Sequence, residues 1–139
     1  MKLLVALALV VLASTAHASP CAGVDRRLTE ERKKALAPVL RKQLLQLLPS
    51  LESVDVVQSF HVRNWYIIEV ETHISDQGYL FYDAEPTEAP YLTVWGGSVP
   101  ATEEEYRSIV DTLSRGKTRG IPKALANCFA WHMTKRINQ

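Results

Sequence analysis

The sequence predicts an α+β fold in which an N-terminal helix packs on a four-stranded antiparallel meander and two C-terminal helices follow. Three observations lead there. Leucines recur at helical spacing from Leu36 to Leu47, two-residue alternation dominates residues 53–74, and a second helical pattern with its own start signal opens at Thr102. No repeat, low-complexity tract or linker divides residues 19–139, so they are expected to form a single α+β domain.

Residues 1–18 stand apart from that domain. Lys2 precedes the apolar run "LLVALALVVLA", and the small residues Ala16 and Ala18 follow. This is the pattern of a secretory signal peptide cleaved before Ser19. The run falls short of the roughly 20 apolar residues that a spanning helix needs. The mature chain is therefore expected to be periplasmic or secreted, without stable membrane insertion. Pro20, directly before Cys21, stands where a lipoprotein signal requires a small residue, which argues against a lipid anchor.

The first helix is read from "LTEERKKALAPVLRKQLLQLLP". Thr29 is its N-cap, Glu30 and Glu31 complement the helix dipole in the first turn, and Leu36, Leu40, Leu44 and Leu47 share one face. Pro38 is expected to kink or split this helix and Pro49 to end it.

Two strands come next. In "SVDVVQSFHV" the apolar set is Val54, Val56, Phe60 and Val62; in "WYIIEVETHI" it is Tyr66, Ile68, Val70, Thr72 and Ile74. A three-residue turn at Arg63, Asn64 and Trp65 puts both sets on one side, whereas a two-residue turn mixes them. The expectation is a sheet with one apolar face under the first helix and one polar face. That polar face carries Asp55, Ser59, His61, Glu69, Glu71 and His73, with Asp55 opposite His73.

"SDQG" is a turn, and "YLFYD" and "YLTVW" are strands that are apolar on both sides. Such strands are central and doubly covered, or they hold a face for a partner. Thr102 and Glu105 then form a capping-box pair for a helix buried through Tyr106, Ile109, Val110 and Leu113 and stopped at Gly116. Pro122 opens the last helix, "KALANCFAWHMTKRI", whose buried stripe is Leu125, Cys128, Phe129 and His132.

The chain holds 16 basic and 15 acidic residues, and with Lys2 in the leader the remainder is formally neutral. Neutrality without a basic stripe excludes nucleic acid as the expected partner. Cys21 and Cys128, in an oxidising compartment, are expected to form a disulfide. The competing reading is a reactive Cys128 with His132 one turn away. Its apolar neighbours Leu125 and Phe129 disfavour a thiolate, and His132 reads as a packed residue bonded to a backbone carbonyl.

Two groups of residues bear on function. The first is "YLFYDAEPTEAPYLTVWGG", where Asp83, Glu85 and Glu88 lie in a loop stiffened by Pro86 and Pro90 and flanked by Tyr79, Phe81, Tyr82, Tyr91 and Trp95. Acidic residues steer a basic partner and large amphipathic rings hold it, so these eight residues form a candidate partner-binding surface. The plain alternative is a core hairpin with a solvated acidic turn. The second group is Asp55, His61, Glu69, Glu71 and His73, a face suited to acid-base chemistry. No metal-ligand spacing, nucleophile elbow or nucleotide-binding loop is present, so neither metal nor cofactor is expected.

The segments "QSF", "WYIIEVETHISD", "LFY", "TVWGG" and above all "GIPKALANCFAWHMT" resemble a group of small, uncharacterised secreted proteins of proteobacteria. The resemblance spans most of the mature chain and implies an exported single domain without assigning catalytic residues. A long helix before a meander also resembles cystatin-like and other small inhibitor folds, a likeness of fold alone. The functional expectation is a periplasmic module that binds and neutralises an enzyme. It would be an immunity protein against a cell-wall-targeting toxin or a lysozyme-type inhibitor, with a basic hydrolase or toxin as partner. The alternatives are a small periplasmic enzyme using the histidine face and a component of an envelope assembly.

Overall fold

The computed structural model describes residues 19–135. The signal peptide expected over residues 1–18 and the end of the last predicted helix lie outside the described residues. The fold is α+β: α1 (Glu30–Leu44), β1 (Asp55–Val62), β2 (Trp65–Glu71), β3 (Gly78–Tyr82), β4 (Thr93–Gly96), α2 (Glu103–Leu113), a 3-10 turn (Gly116–Thr118) and α3 (Lys123–Lys135). The strands form one antiparallel sheet in the order β1-β2-β3-β4.

Local signals explain the helix starts. The Thr29 hydroxyl accepts a hydrogen bond from the Arg32 amide at 3.1 Å, and Thr102 does the same for the Glu105 amide at 3.1 Å. The chain runs through Pro38 as one helix rather than two, and α1 ends at Leu44, five residues before Pro49. Its last turn is followed by turns in which the Leu47 and Leu48 amides both bond the Leu44 carbonyl.

The register between β1 and β2 corrects the sequence expectation. Trp65 belongs to β2, and the connecting turn has only two residues, Arg63 and Asn64, with Arg63 in the left-handed region at φ 53°. A two-residue turn pairs Phe60 with Ile67 and Val62 with Trp65. Carried along without interruption, that parity would put Val56 on the same face as Phe60. A β-bulge at Val57 intervenes, so that Val56 pairs with Val70 and Gln58 with Glu69. The extra residue reverses the parity of β1, turning Val54 and Val56 to one face and Phe60 and Val62 to the other.

As a result the sheet has two apolar faces and no polar one. On one side Leu36, Leu40, Leu44 and Leu51 cover Val54, Val56, Ile68, Val70, Leu80 and Tyr82. On the other, residues of α2 and α3, including Ile109, Leu113, Leu125 and Phe129, cover Phe60, Trp65, Ile67, Tyr79 and Phe81. Phe129 is the hub of this second core: its ring meets those of Phe60, Tyr79, Phe81 and Trp95 edge to face, with centroids 5.1–6.3 Å apart. A disulfide joins Cys21 to Cys128 and fastens the N-terminal segment to α3. It is a feature of an oxidising, extracytoplasmic compartment. Among the described residues, no helix is long and apolar enough to cross a membrane.

Candidate functional site

The β3–β4 connection, residues 83–92, is built on a turn in which the Glu88 amide bonds the Glu85 carbonyl at 2.9 Å. Pro86 occupies the second turn position, where its fixed φ favours the bend. Three distant side chains then fasten the loop to the body of the protein. Arg32 of α1 pairs with Glu85 at 2.5 Å. Gln43 donates to the carbonyls of Pro86 and Ala89 at 3.2 and 3.1 Å, and Asn64 donates to the Asp83 carbonyl at 2.7 Å. The Tyr82 hydroxyl in turn donates to Gln43 Oε1 at 2.7 Å, which orients the amide.

Electrostatics follow from this arrangement. Partial burial alone would raise the Glu85 carboxyl, but the hydrogen bond and charge of Arg32, helped by Thr87 and Tyr66, hold it below the usual glutamate range. Burial, with the Glu85 charge adding to it, pushes the Tyr66 phenol up. Burial also drives the Tyr82 phenol well above its ordinary value, so it remains a donor to Gln43. Asp83 and Glu88 point outward and are exposed.

The eight residues of the expected partner surface therefore separate. Tyr79, Phe81 and Tyr82 are buried, at 3%, 0% and 0% exposure, and serve the two cores rather than a surface. Tyr91 and Trp95 are half-buried against opposite faces of the sheet. Glu85 holds the loop, which leaves Asp83 and Glu88 as its outward-facing carboxylates. The loop's anchors Arg32, Gln43 and Asn64 were not legible in the sequence. They lie 19–53 residues from their partners, and an arginine or glutamine on a helix carries no local mark of such a contact.

The acid-base residues are also dispersed, because the face that was to carry them does not exist. Asp55 pairs in register with Glu71 rather than His73. The Asp55 and His73 side chains still meet, Nε2 to Oδ2 at 2.7 Å, because His73 turns back at φ 62° just past the end of β2. Glu71 accepts from the His73 amide at 3.0 Å. This group is exposed to solvent, with His73 and Asp55 side chains 58% and 67% accessible. His61 lies on the α1 face, stacked on Tyr66 with centroids 4.0 Å apart. Glu69 is fully buried on the opposite face.

Glu69 and His132 form a buried polar pair that the sequence did not suggest. His132 is packed, as its place on the α3 stripe implies, and the side chains of Glu69, Tyr79 and Phe60 lie beside it. Its Nε2 lies 3.5 Å from Glu69 Oε2 and 3.4 Å from the Tyr79 hydroxyl, and its ring stands edge-on to Phe60. Arg26 approaches the same neighbourhood, its guanidinium 4.0 Å from the Phe60 ring centroid and hydrogen-bonded to Gln58. Burial lowers the Arg26 pKa, and the Glu69 charge opposes that shift. An internal carboxylate beside an imidazole and near a guanidinium joins β1, β2 and α3 through directional contacts. Cys128 lies in the disulfide, so a Cys128–His132 nucleophile does not occur. Among the described residues no group of three His, Cys, Asp or Glu is arranged to hold a metal ion.

Comparison of the chain with protein-family models, with curated proteins and with solved structures gives no match.

Proposed function

We propose that this protein is an extracytoplasmic binding domain that captures and neutralises an enzyme, with the β3–β4 loop as its recognition element. The partner class is a basic hydrolase or toxin acting on the cell wall. One observation carries the reading: Arg32, Gln43 and Asn64 hold the loop in place while Asp83 and Glu88 face outward. Fixing a loop before contact lowers the ordering cost of binding, and outward carboxylates accelerate encounter with a positive surface. The disulfide supports an oxidising compartment for this activity.

The test is capture from periplasmic extract by the oxidised protein, with the eluate identified by mass spectrometry and assayed for cell-wall hydrolysis. The reading expects a basic hydrolase in stoichiometric amount, inhibited on binding and bound at least roughly tenfold more weakly by the D83N/E88Q variant. An unchanged affinity in that variant removes the loop from the account, and a captured protein that keeps its activity removes the inhibitor.

The Asp55–His73 contact favours a second reading, a small periplasmic enzyme, because a carboxylate 2.7 Å from an imidazole orients it as a general base. His73→Ala discriminates: loss of turnover with the fold retained supports an enzyme, and unaltered inhibition of a captured hydrolase supports a binder. A component of an envelope assembly would instead appear as a large stable complex with no inhibited activity.

A further inference from the structure

We propose that the outer edge of β4 is a docking site for an extended peptide strand whose side chains alternate between apolar and acidic. Among the described residues, β4 is the last strand of the sheet and pairs only with β3. The Gly97 amide donates to the Gln77 carbonyl at 3.4 Å, on the β3 side. Strand alternation then directs the main-chain groups of Thr93 and Trp95 toward β3 and those of Val94 and Gly96 outward. Among the described residues, no backbone hydrogen bond reaches that outer side.

The two edges of the sheet are treated differently. At β1, Asp25 forms a bridge with His61, both amides bonding the opposite carbonyl at 2.9 Å, and the bulge at Val57 interrupts the ladder. Covering and bulging are the usual ways to close an edge against another strand. Among the described residues β4 shows no bridging segment and no register shift along its ladder, and it is bordered by a cleft on each side. Toward α1 the cleft is lined by Leu44, Leu47, Val70, Leu80 and Val94, with Leu47 57% exposed. Toward α2 it is lined by Trp95, Leu113, Arg115 and Lys117.

A strand laid along β4 sends successive side chains to opposite faces, one set into each cleft. The α1 cleft selects apolar side chains. The α2 cleft selects acidic ones: Arg115 is already paired with Asp111, but Lys117 and the neighbouring Arg119 form no ion pair among the described residues. The same charges weigh against a second copy of this chain. Antiparallel pairing of two β4 edges about a two-fold axis places like faces side by side and brings Arg115 and Lys117 against their counterparts. The edge is separate from the acidic loop, and this inference does not depend on the loop's role.

The experiment titrates the oxidised protein with a capped octapeptide alternating valine and glutamate, read by amide hydrogen exchange and NMR shifts. The valine/glutamate peptide is expected to slow exchange at Val94 and Gly96 by about tenfold or more. Methylating alternate peptide amides abolishes the effect without touching the protein, Lys117→Glu weakens binding roughly fivefold, and D83N/E88Q leaves it unchanged. The inference is overturned if saturating peptide leaves both amides unprotected, if the methylated peptide binds as well as its parent, or if a valine/lysine peptide binds equally well. Protection that rises with protein concentration in the absence of peptide overturns it in favour of a second copy.

Discussion

Deleting Val57 tests the device that gives this sheet two apolar faces. Without the extra residue, β1 keeps its pairing with β2 only if one half of the strand turns over. Turning the Phe60 half exposes a residue at 0% accessibility whose ring packs against Phe129 and His132. The other half is the cheaper one to invert. It places Val54 and Val56, each 5% exposed, in solvent and directs Asp55 at the leucines of α1. Burial of a valine is worth about 1.5–3 kcal/mol, so losing two costs about 3–6 kcal/mol before any cost of the carboxylate. A domain of this size is stable by about 5–15 kcal/mol, so the deletion leaves it near or below its folding limit. Urea unfolding followed by far-ultraviolet circular dichroism and tryptophan fluorescence measures this, with Val57→Ala as control. The half-buried control side chain should cost about 1 kcal/mol or less. A deletion variant within about 1 kcal/mol of that control, at unchanged denaturant dependence, would refute the claim that the bulge holds the two faces in register.

Other outcomes follow from particular contacts. Replacing Cys21 and Cys128 by serine opens a cross-link of sequence separation 107 and is expected to cost about 4–5 kcal/mol in the chain-entropy model, read as a lower urea midpoint; an unchanged midpoint would show that the link does not constrain the unfolded chain. Phe129→Ala removes the hub of four edge-to-face contacts and is expected to cost about 3–5 kcal/mol, with Phe129→Leu costing clearly less; equal losses would contradict a cavity. Because the Glu85 carboxyl is held below its ordinary value, its pairing with Arg32 contributes fully above the unfolded glutamate range and is lost as pH falls through the lower folded value. Glu85→Gln should therefore destabilise at neutral pH by about 1 kcal/mol or less and converge with the parent in acid; a deficit that persists at pH 2 would exclude the ion pair as its source.

Much of the fold was legible because its signals are local. Thr29 and Thr102 bond amides three residues ahead of them, so the starts of α1 and α2 can be read from a few positions. The doubly apolar character of β3 and β4 left two readings, strands covered on both sides or a face held for a partner; β3 is covered on both sides, with Tyr79, Leu80, Phe81 and Tyr82 buried, whereas β4 is a half-buried edge strand. The candidate site was less legible. The aromatics beside the acidic loop have the same composition whether they serve a core or a surface, and only the arrival of α1 on one face and of α2 and α3 on the other assigned them to the core.

By itself, the sequence determined the order of elements, the caps and the cysteines available for pairing, because each depends on residue types at short separation. Tertiary structure alone decided the register and the buried partners. Val54, Val56, Phe60 and Val62 share one parity, and period-two counting must place them together unless a bulge intervenes. The bulge is favoured because two apolar layers, arriving from opposite ends of the chain, need residues from both halves of β1. The same long-range closure sets Arg32 against Glu85 and His132 beside Glu69, contacts for which neighbouring residues carry no signal.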